Sequence, residues 1–175
     1  MSTSNQTLLA RAARFRVPLG FVAGILAVWF ARPTVRSLSM GAAIAFAGEA
    51  LRIWAAGHLH KSREVTRSGP YRWFAHPLYV GSSILGLGMA VAANSLWVAL
   101  LLATYLGATI TIAIKAEEAF LAQRFGNEYT TYRQGSDAAE SGAGRRFAVA
   151  QVIANREYRA MAGVILILLV LLLKL

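Results

Sequence analysis

Five apolar blocks separated by polar, mostly basic segments set the plan of the chain: Phe15 to Ala31, Leu38 to Gly57, Leu78 to Ala93, Leu96 to Ile114 and Ala160 to Leu173. A helix that crosses a bilayer needs about 20 residues, with a range of about 17–25. The third and fifth blocks reach that range only by borrowing flanking residues, His76-Pro77 and Glu157-Tyr158-Arg159. The pattern predicts an all-α integral membrane protein with about five transmembrane helices. Asn94-Ser95 alone separates the third and fourth blocks, so these two helices form a tight antiparallel hairpin.

Beyond the fourth block, Lys115 to Arg133 reads as a helix leaving the membrane. Phe120, Leu121 and Phe125 form its apolar stripe, and Gly126-Asn127 is a stop signal. The small, polar run Gly135 to Gly144 reads as a flexible linker. Arg145 to Arg159 mixes apolar and basic residues. It fits either an amphipathic surface helix or the inner half of one long helix that continues into the fifth block. The expected organisation is an N-terminal helix pair over 1–57, a core with hairpin and exit helix over 58–134, a linker over 135–144, and a C-terminal segment over 145–175.

Composition strengthens the membrane reading and charge orients it. Of the 175 residues 57% are hydrophobic, against about 45–50% in soluble domains, and the mean hydropathy is +0.50. With the N-terminus inside, Arg11, Arg14 and Arg16, then Lys61, Arg63, Arg67 and Arg72, then seven basic residues from Lys115 to Arg159 all face one side. Only Arg32, Arg36 and Lys174 face the other, as the positive-inside rule expects of a cytoplasmic N-terminus. Trp29, Trp54 and Trp97 fall at or near block ends, where interfacial indoles belong. The net charge of +10 is spread along the loops, without the basic patch and interleaved aromatics of a nucleic-acid surface. No cysteine is present, which excludes disulfides, thiolate metal sites and a cysteine nucleophile. The first block is followed by Ala31-Arg-Pro-Thr34 rather than a small-residue cleavage site, and reads as an uncleaved helix.

Candidate chemistry gathers on the inner side. In Gly69 to Gly81, Gly69-Pro70 is a turn signal, and Pro77 suits the first position of a helix, whose amide has no partner there. His76 then sits at the N-terminus of the third helix, an end that favours anionic ligand groups. The same stretch also reads as a re-entry turn with Tyr71, Trp73, Phe74 and Tyr79 as interface anchors. Glu117-Glu118, with Lys115 beside them, either begin a solvated helix or serve a site. The hairpin decides their neighbourhood, because it returns the inner end of the fourth helix beside His76. Glu49 and Arg52, three residues apart, can pair along one helix face. As charges within a block they are either functional or a structural ion pair. His58-Leu-His60 admits zinc in principle, but the spacing is not diagnostic, and no metal site is expected.

Two ordered motifs carry a resemblance. Gly69-x-Tyr71-x-x-x-x-His76-Pro77-x-Tyr79-x-Gly81 is followed, after a helical hairpin, by Glu117-Glu118-x-x-Leu121-x-x-x-Phe125-Gly126-x-x-Tyr129-x-x-Tyr132. Together they resemble the isoprenylcysteine carboxyl methyltransferase family, which is similar to the membrane phospholipid methyltransferases. The resemblance covers about Arg52 to Arg133. It implies an integral membrane enzyme that binds S-adenosylmethionine in a pocket at the cytoplasmic face of a bacterial-type inner membrane. Carried over residue by residue, the cofactor-binding positions are Val65 and Thr66 (within the segment Arg63 to Thr66), Tyr71, His76, Pro77, Leu78, Tyr79 and Glu117. Two positions depart from the family, in which arginine precedes the His-Pro and a second arginine holds the prenylcysteine carboxylate. Here they correspond to Ala75 and Ala113. Lys115 or Arg72 would have to substitute, without the bidentate fork of arginine.

The function these readings imply is methyl transfer from S-adenosylmethionine to a lipophilic acceptor, an isoprenylcysteine-like carboxylate or another lipid or small amphiphile. His76 and Glu118 are the candidate bases, needed when the acceptor is an ammonium or thiol and not when it is a carboxylate. Two rivals stand beside it: a membrane reductase of the sterol type using NADPH, and a non-catalytic membrane scaffold or small transporter.

Overall fold

The computed structural model describes residues 18–60, 66, 68–126 and 146–175, and every regular element among them is helical. The helices are α1 (Pro18–Phe30), α2 (Val35–His58), α3 (Pro77–Ala93), α4 (Leu96–Phe125), α5 (Val149–Ala154) and α6 (Glu157–Leu172). A short 3₁₀ turn spans Gly69–Arg72. By length and apolar composition, α2 and the stretch Leu96–Arg124 of α4 can cross a membrane, while Pro18–Phe30 and Pro77–Ala93 are shorter apolar helices. The expected linker at 135–144, the arginines before Pro18, and Arg63, Val65, Tyr129 and Tyr132 lie outside the described residues.

The most intimate contact joins α2 to α3 through glycines. A side chain at Gly48 would run into the backbone of Gly81 and Leu85, and one at Gly88 into the backbone of Ala45 and Gly41. Gly41 and Gly48 on α2, and Gly81 and Gly88 on α3, stand seven residues apart and therefore on one face of each helix. Without Cβ atoms the two backbones approach closely, as small residues allow where lipid rather than water surrounds a bundle. The buried core continues from this seam through Ala31, Ala45, Met89, Ala92 and Val98 to Val164, Leu168 and Leu171 of α6. Outward, large apolar side chains stand exposed: Phe21 at 72%, Trp29 at 76%, Trp97 at 73% and Leu166 at 62%. A contiguous apolar exterior of this kind suits a membrane surroundings.

The hairpin is built as the two-residue turn requires. Asn94 caps α3 in the left-handed conformation with φ 48, and extended Ser95 opens α4. Asparagine is among the few side chains that take this conformation readily. The Asn94 side chain donates to the Arg32 carbonyl, and Arg32 N–H to Ala93 O, which fastens the α1–α2 connection to the turn. Thr34 and Ser37 form a reciprocal capping box at the start of α2. α4 then runs without a break over 30 residues to Gly126, whose φ of +49 ends it. At 1.5 Å per residue that is about 45 Å, longer than a hydrocarbon core of about 30 Å. The fourth apolar block and the exit helix are thus one rod.

Neither alternative for Arg145 to Arg159 is realised. α5 is only six residues long, and Arg156, with φ 60, breaks the chain before α6 starts at Glu157. The break lets α5 turn back and cap α2. Ala148 N–H donates to Gly57 O, Asn155 Nδ2 to Ala56 O and Leu59 O, and Gln151 Nε2 to Leu59 O. These are carbonyls that a helix C-terminus leaves unpaired. At the opposite end of the bundle, Lys174 Nζ donates to the carbonyls of Val28, Trp29 and Ala31 and so caps α1.

Candidate functional site

The site at the hairpin's open end follows from its register. Near the turn Ala93 lies beside Val98 in the core, and halfway along α3 a side chain at Gly86 would meet Leu106. Ten residues before Gly86 and eleven after Leu106, the same antiparallel alignment brings His76 to Glu117. His76 is the N-cap of α3, with Pro77 at the first helical position. Its ring faces both carboxylates, Nδ1 at 3.7 Å from Glu117 Oε2 and Nε2 at 3.5 Å from Glu118 Oε1. These are ion-pair separations, longer than a closed N–H···O bond of about 2.7–3.2 Å. Nε2 is buried and, among the described residues, has no hydrogen-bond partner.

Charge sets the protonation of this group. Glu117 is the leading influence and raises the His76 pKa above its ordinary value; burial opposes it, and Glu118 adds to the rise. The imidazole is therefore held towards its doubly protonated form, in which both ring nitrogens donate. When doubly protonated, the ring faces both carboxylates as a cation, beside the partial positive charge of a helix N-terminus. Such a place has both acceptors for ammonium and hydroxyl donors and donors for a carboxylate.

The remaining predicted residues differ in their surroundings. Tyr79, one turn into α3, has its ring centroid 5.7 Å from that of His76. Pro77 is buried and Leu78 half-buried. Tyr71 is buried in the 3₁₀ turn, whereas Trp73 is exposed and leans on Trp54 with ring centroids 5.6 Å apart. Within this stretch, then, Trp73 and Phe74 keep the exposure of interface anchors, and Tyr71 does not. Thr66 is buried, and its hydroxyl accepts from His60 N–H at 3.4 Å. Val65 lies outside the described residues. Ala75 and Lys115 are exposed.

His58 and His60 serve the fold. His58 Nδ1 lies 3.0 Å from Trp54 O, and Gly69, at φ +60, passes so close that a Cβ there would strike the His58 ring. His60 Nδ1 lies 3.0 Å from Gln151 Nε2. Among the described residues, no three His, Cys, Asp or Glu gather as a metal site would require.

The second polar centre was only half visible in the sequence. Glu49 pairs with Arg52 as its spacing predicts, at 3.4 Å. The stronger partner is Glu157 at the start of α6, whose Oε2 lies 2.7 Å from Arg52 Nη2, while Arg52 Nη1 donates to Ser82. Glu157 and Ser82 lie 105 and 30 residues from Arg52 in the chain, so local spacing could not reveal them. Their only signals were a carboxylate at the edge of an apolar block and a serine one turn after Leu78. Arg52 and Ser82 form the polar end of a cavity of about 370 Å³ that is otherwise mostly apolar. α1, α3, α4 and α6 wall it, with Met89, Leu102 and Tyr105 among the lining residues.

A sequence model of the PEMT family, phospholipid methyltransferase, matches residues 15–128. The chain belongs to the phospholipid methyltransferase family. Membership makes it a membrane-associated methyltransferase that acts on lipids, in accord with the apolar helices. The matched region takes in α1 to α4 and both halves of the His76 cluster, and it ends before α5 and α6. No curated protein and no solved structure gives a significant match to the chain.

Proposed function

We propose that the chain transfers the sulfonium methyl of S-adenosylmethionine to a lipophilic acceptor, at the end of the bundle that carries His76 and faces the cytoplasm. The observation that supports this most is the juxtaposition of His76, at the amino end of α3, with Glu117 and Glu118 on the returning α4. The donor set fits the cofactor: a buried ring nitrogen that, among the described residues, makes no hydrogen bond, two carboxylates and a helix N-terminus. The cofactor, when bound, supplies an electrophilic methyl group. His76 and the first amides of α3 would hold its carboxylate, and Glu117 would accept from its amino or hydroxyl donors. Tyr71, Pro77, Leu78 and Tyr79 would shape the rest of the pocket, with Val65 and Thr66 on the approaching segment.

Transfer is an in-line displacement, so alignment and exclusion of water supply much of the acceleration. For an acceptor that must lose a proton, Glu118 or the His76 ring beside it would serve as the base. The acceptor we favour is a lipid or small amphiphile with a neutral or amine nucleophile. Ala75 and Ala113 provide no guanidinium for an isoprenylcysteine carboxylate, and Arg52 is engaged by Glu157 and Glu49. In this reading five helices span the membrane, with the basic loops inside.

Two measurements test the proposal. Glu117→Gln should weaken S-adenosylmethionine or S-adenosylhomocysteine binding about tenfold by calorimetry in detergent, the loss expected for one charge-assisted hydrogen bond of about 1.5 kcal/mol. Unchanged affinity removes Glu117 from the site. Lipid extracts incubated with enzyme and isotopically labelled cofactor should yield one labelled lipid class by mass spectrometry. No labelled species in any class refutes the transfer itself.

A further inference from the structure

The apolar cavity lies against the bundle's exterior. α1 and α6 line one seam, where, among the described residues, a Cβ at Gly24 or at Gly163 would touch nothing within 4 Å. Gly20, Gly24, Val28, Gly163 and Ile167 line the inner cavity, and the same five line a wider groove of about 990 Å³ on the outer side of the seam. Phe21, Trp29, Leu166 and Val170 extend that groove across the bundle's exterior. The two spaces therefore border the same strip of residues, whose centre carries no side chains.

We infer that the α1–α6 seam is a lateral portal through which one aliphatic chain of a membrane lipid enters the cavity, and that Gly24 and Gly163 set the girth it admits. The inference rests on the reading of the protein as a lipid methyltransferase. Four observations argue for an aliphatic chain as the occupant. The groove lies among the lipid-exposed apolar side chains of the bundle. The cavity wall is mostly apolar, with polar groups at Arg52, Ser82 and the Tyr105 hydroxyl. Its volume of about 370 Å³ falls in the range of small-molecule sites, about 300–1,000 Å³. At the share of liquid volume taken by a water, about 30 Å³, it holds about a dozen heavy-atom groups, enough for one chain and too few for two. Ser82 stands six residues from His76 on α3, about 9 Å of helix rise, so a chain seated in the cavity carries its headgroup towards the Glu117 and Glu118 carboxylates.

The portal belongs to this chain rather than to the matched family region. One jamb, α6, lies beyond residue 128, where the match ends. Arg52 and Glu157 fix its inner end and Lys174 its outer end. The Lys174 cap ties α6 to α1 at one end, the ion pair ties α6 to α2 at the other, and the glycines lie between them.

The test is a photolabelling experiment that needs neither cofactor nor turnover. Full-length protein in phosphatidylcholine vesicles doped with a single-chain phospholipid bearing a diazirine at the chain end is irradiated, digested and mapped by mass spectrometry. Label is expected on Met89, Leu102 or Tyr105. Gly163→Trp and Gly24→Trp, each closing the seam from one side, should lower that interior label at least tenfold while label on exposed Leu166 persists. Gly163→Ala should retain it. Size-exclusion profile and melting temperature identify a variant that has failed to fold, and the other tryptophan variant then carries the comparison. Absence of interior label in the wild type, retention of it in both tryptophan variants, or a cross-link between two copies at the Gly163 face overturns the portal. If interior label appears as expected and no lipid class is methylated, the portal stands and the methyltransferase reading fails; the reverse outcome separates them in the other direction.

Discussion

Replacing Arg52 should harm the fold far more than removing either carboxylate it binds. Two charges about 4 Å apart interact by about 4 kcal/mol at an effective dielectric near 20. Arg52 gains such an attraction from Glu157 and from Glu49, and the two carboxylates, sharing one guanidinium, repel each other less strongly. In Glu157→Gln one attraction and the repulsion vanish together. Gln still offers an oxygen to Nη2, and the expected cost is about 1 kcal/mol, that of an ordinary hydrogen bond. In Arg52→Leu both attractions vanish and the repulsion remains between two buried acids. Leaving buried charge uncompensated costs about 3–5 kcal/mol. At about 2–4 °C per kcal/mol for a chain of this size, Arg52→Leu should lower the melting temperature in detergent by about 6–20 °C. Glu157→Gln should lower it by only a few degrees. The triple variant Arg52→Leu, Glu49→Gln, Glu157→Gln should recover most of the loss. Equal losses for Arg52→Leu and Glu157→Gln, or no recovery in the triple variant, would refute the shared-cation argument.

Two further outcomes follow from other parts of the fold. Because the folded His76 pKa is raised, its pairing with Glu117 contributes fully below the ordinary histidine value near 6.5. It is lost as pH rises through the raised value, so wild type should lose stability relative to His76→Gln between pH 6 and pH 9. Parallel melting curves for the two proteins would sink that assignment. Gly48→Leu, whose Cβ would lie 2.5 Å from Leu85 N and 2.7 Å from Gly81 O, should cost about 3 kcal/mol or more as overpacking. Gly107→Ala, which meets only open space, should cost nothing measurable, and comparable losses at both positions would remove the seam's special status.

What the sequence disclosed and what it withheld divide along physical lines. Pro77 and Asn94-Ser95 act locally, through a fixed φ and a two-residue turn, and local signals of this kind sufficed to bring His76 to Glu117. The glycine seam was legible in principle, since Gly41, Gly48, Gly81 and Gly88 repeat at seven residues. Hydropathy averages over composition and is blind to absent side chains, so the pairing of α2 with α3 went unread. The Arg156 break was hidden for another reason. A left-handed arginine leaves no compositional trace, and the mixed apolar and basic run around it suits a continuous helix equally well. Glu157 illustrates the general limit: its meaning lies in a partner 105 residues away, which periodicity cannot supply.

The Lys174 cap has a bearing on the order in which the bundle comes together. Its bond to Val28 O joins residues 146 positions apart, whereas α2, α3 and α4 pair with their immediate neighbours in sequence. Contacts between distant segments carry the larger chain-closure cost and form later. The α2–α3–α4 unit should therefore assemble as a nucleus, with α1 held loosely until the far segment arrives to clasp it. By reversal of the same order, the contact made last should be the first to yield on heating, so unfolding should begin along the α1–α6 boundary.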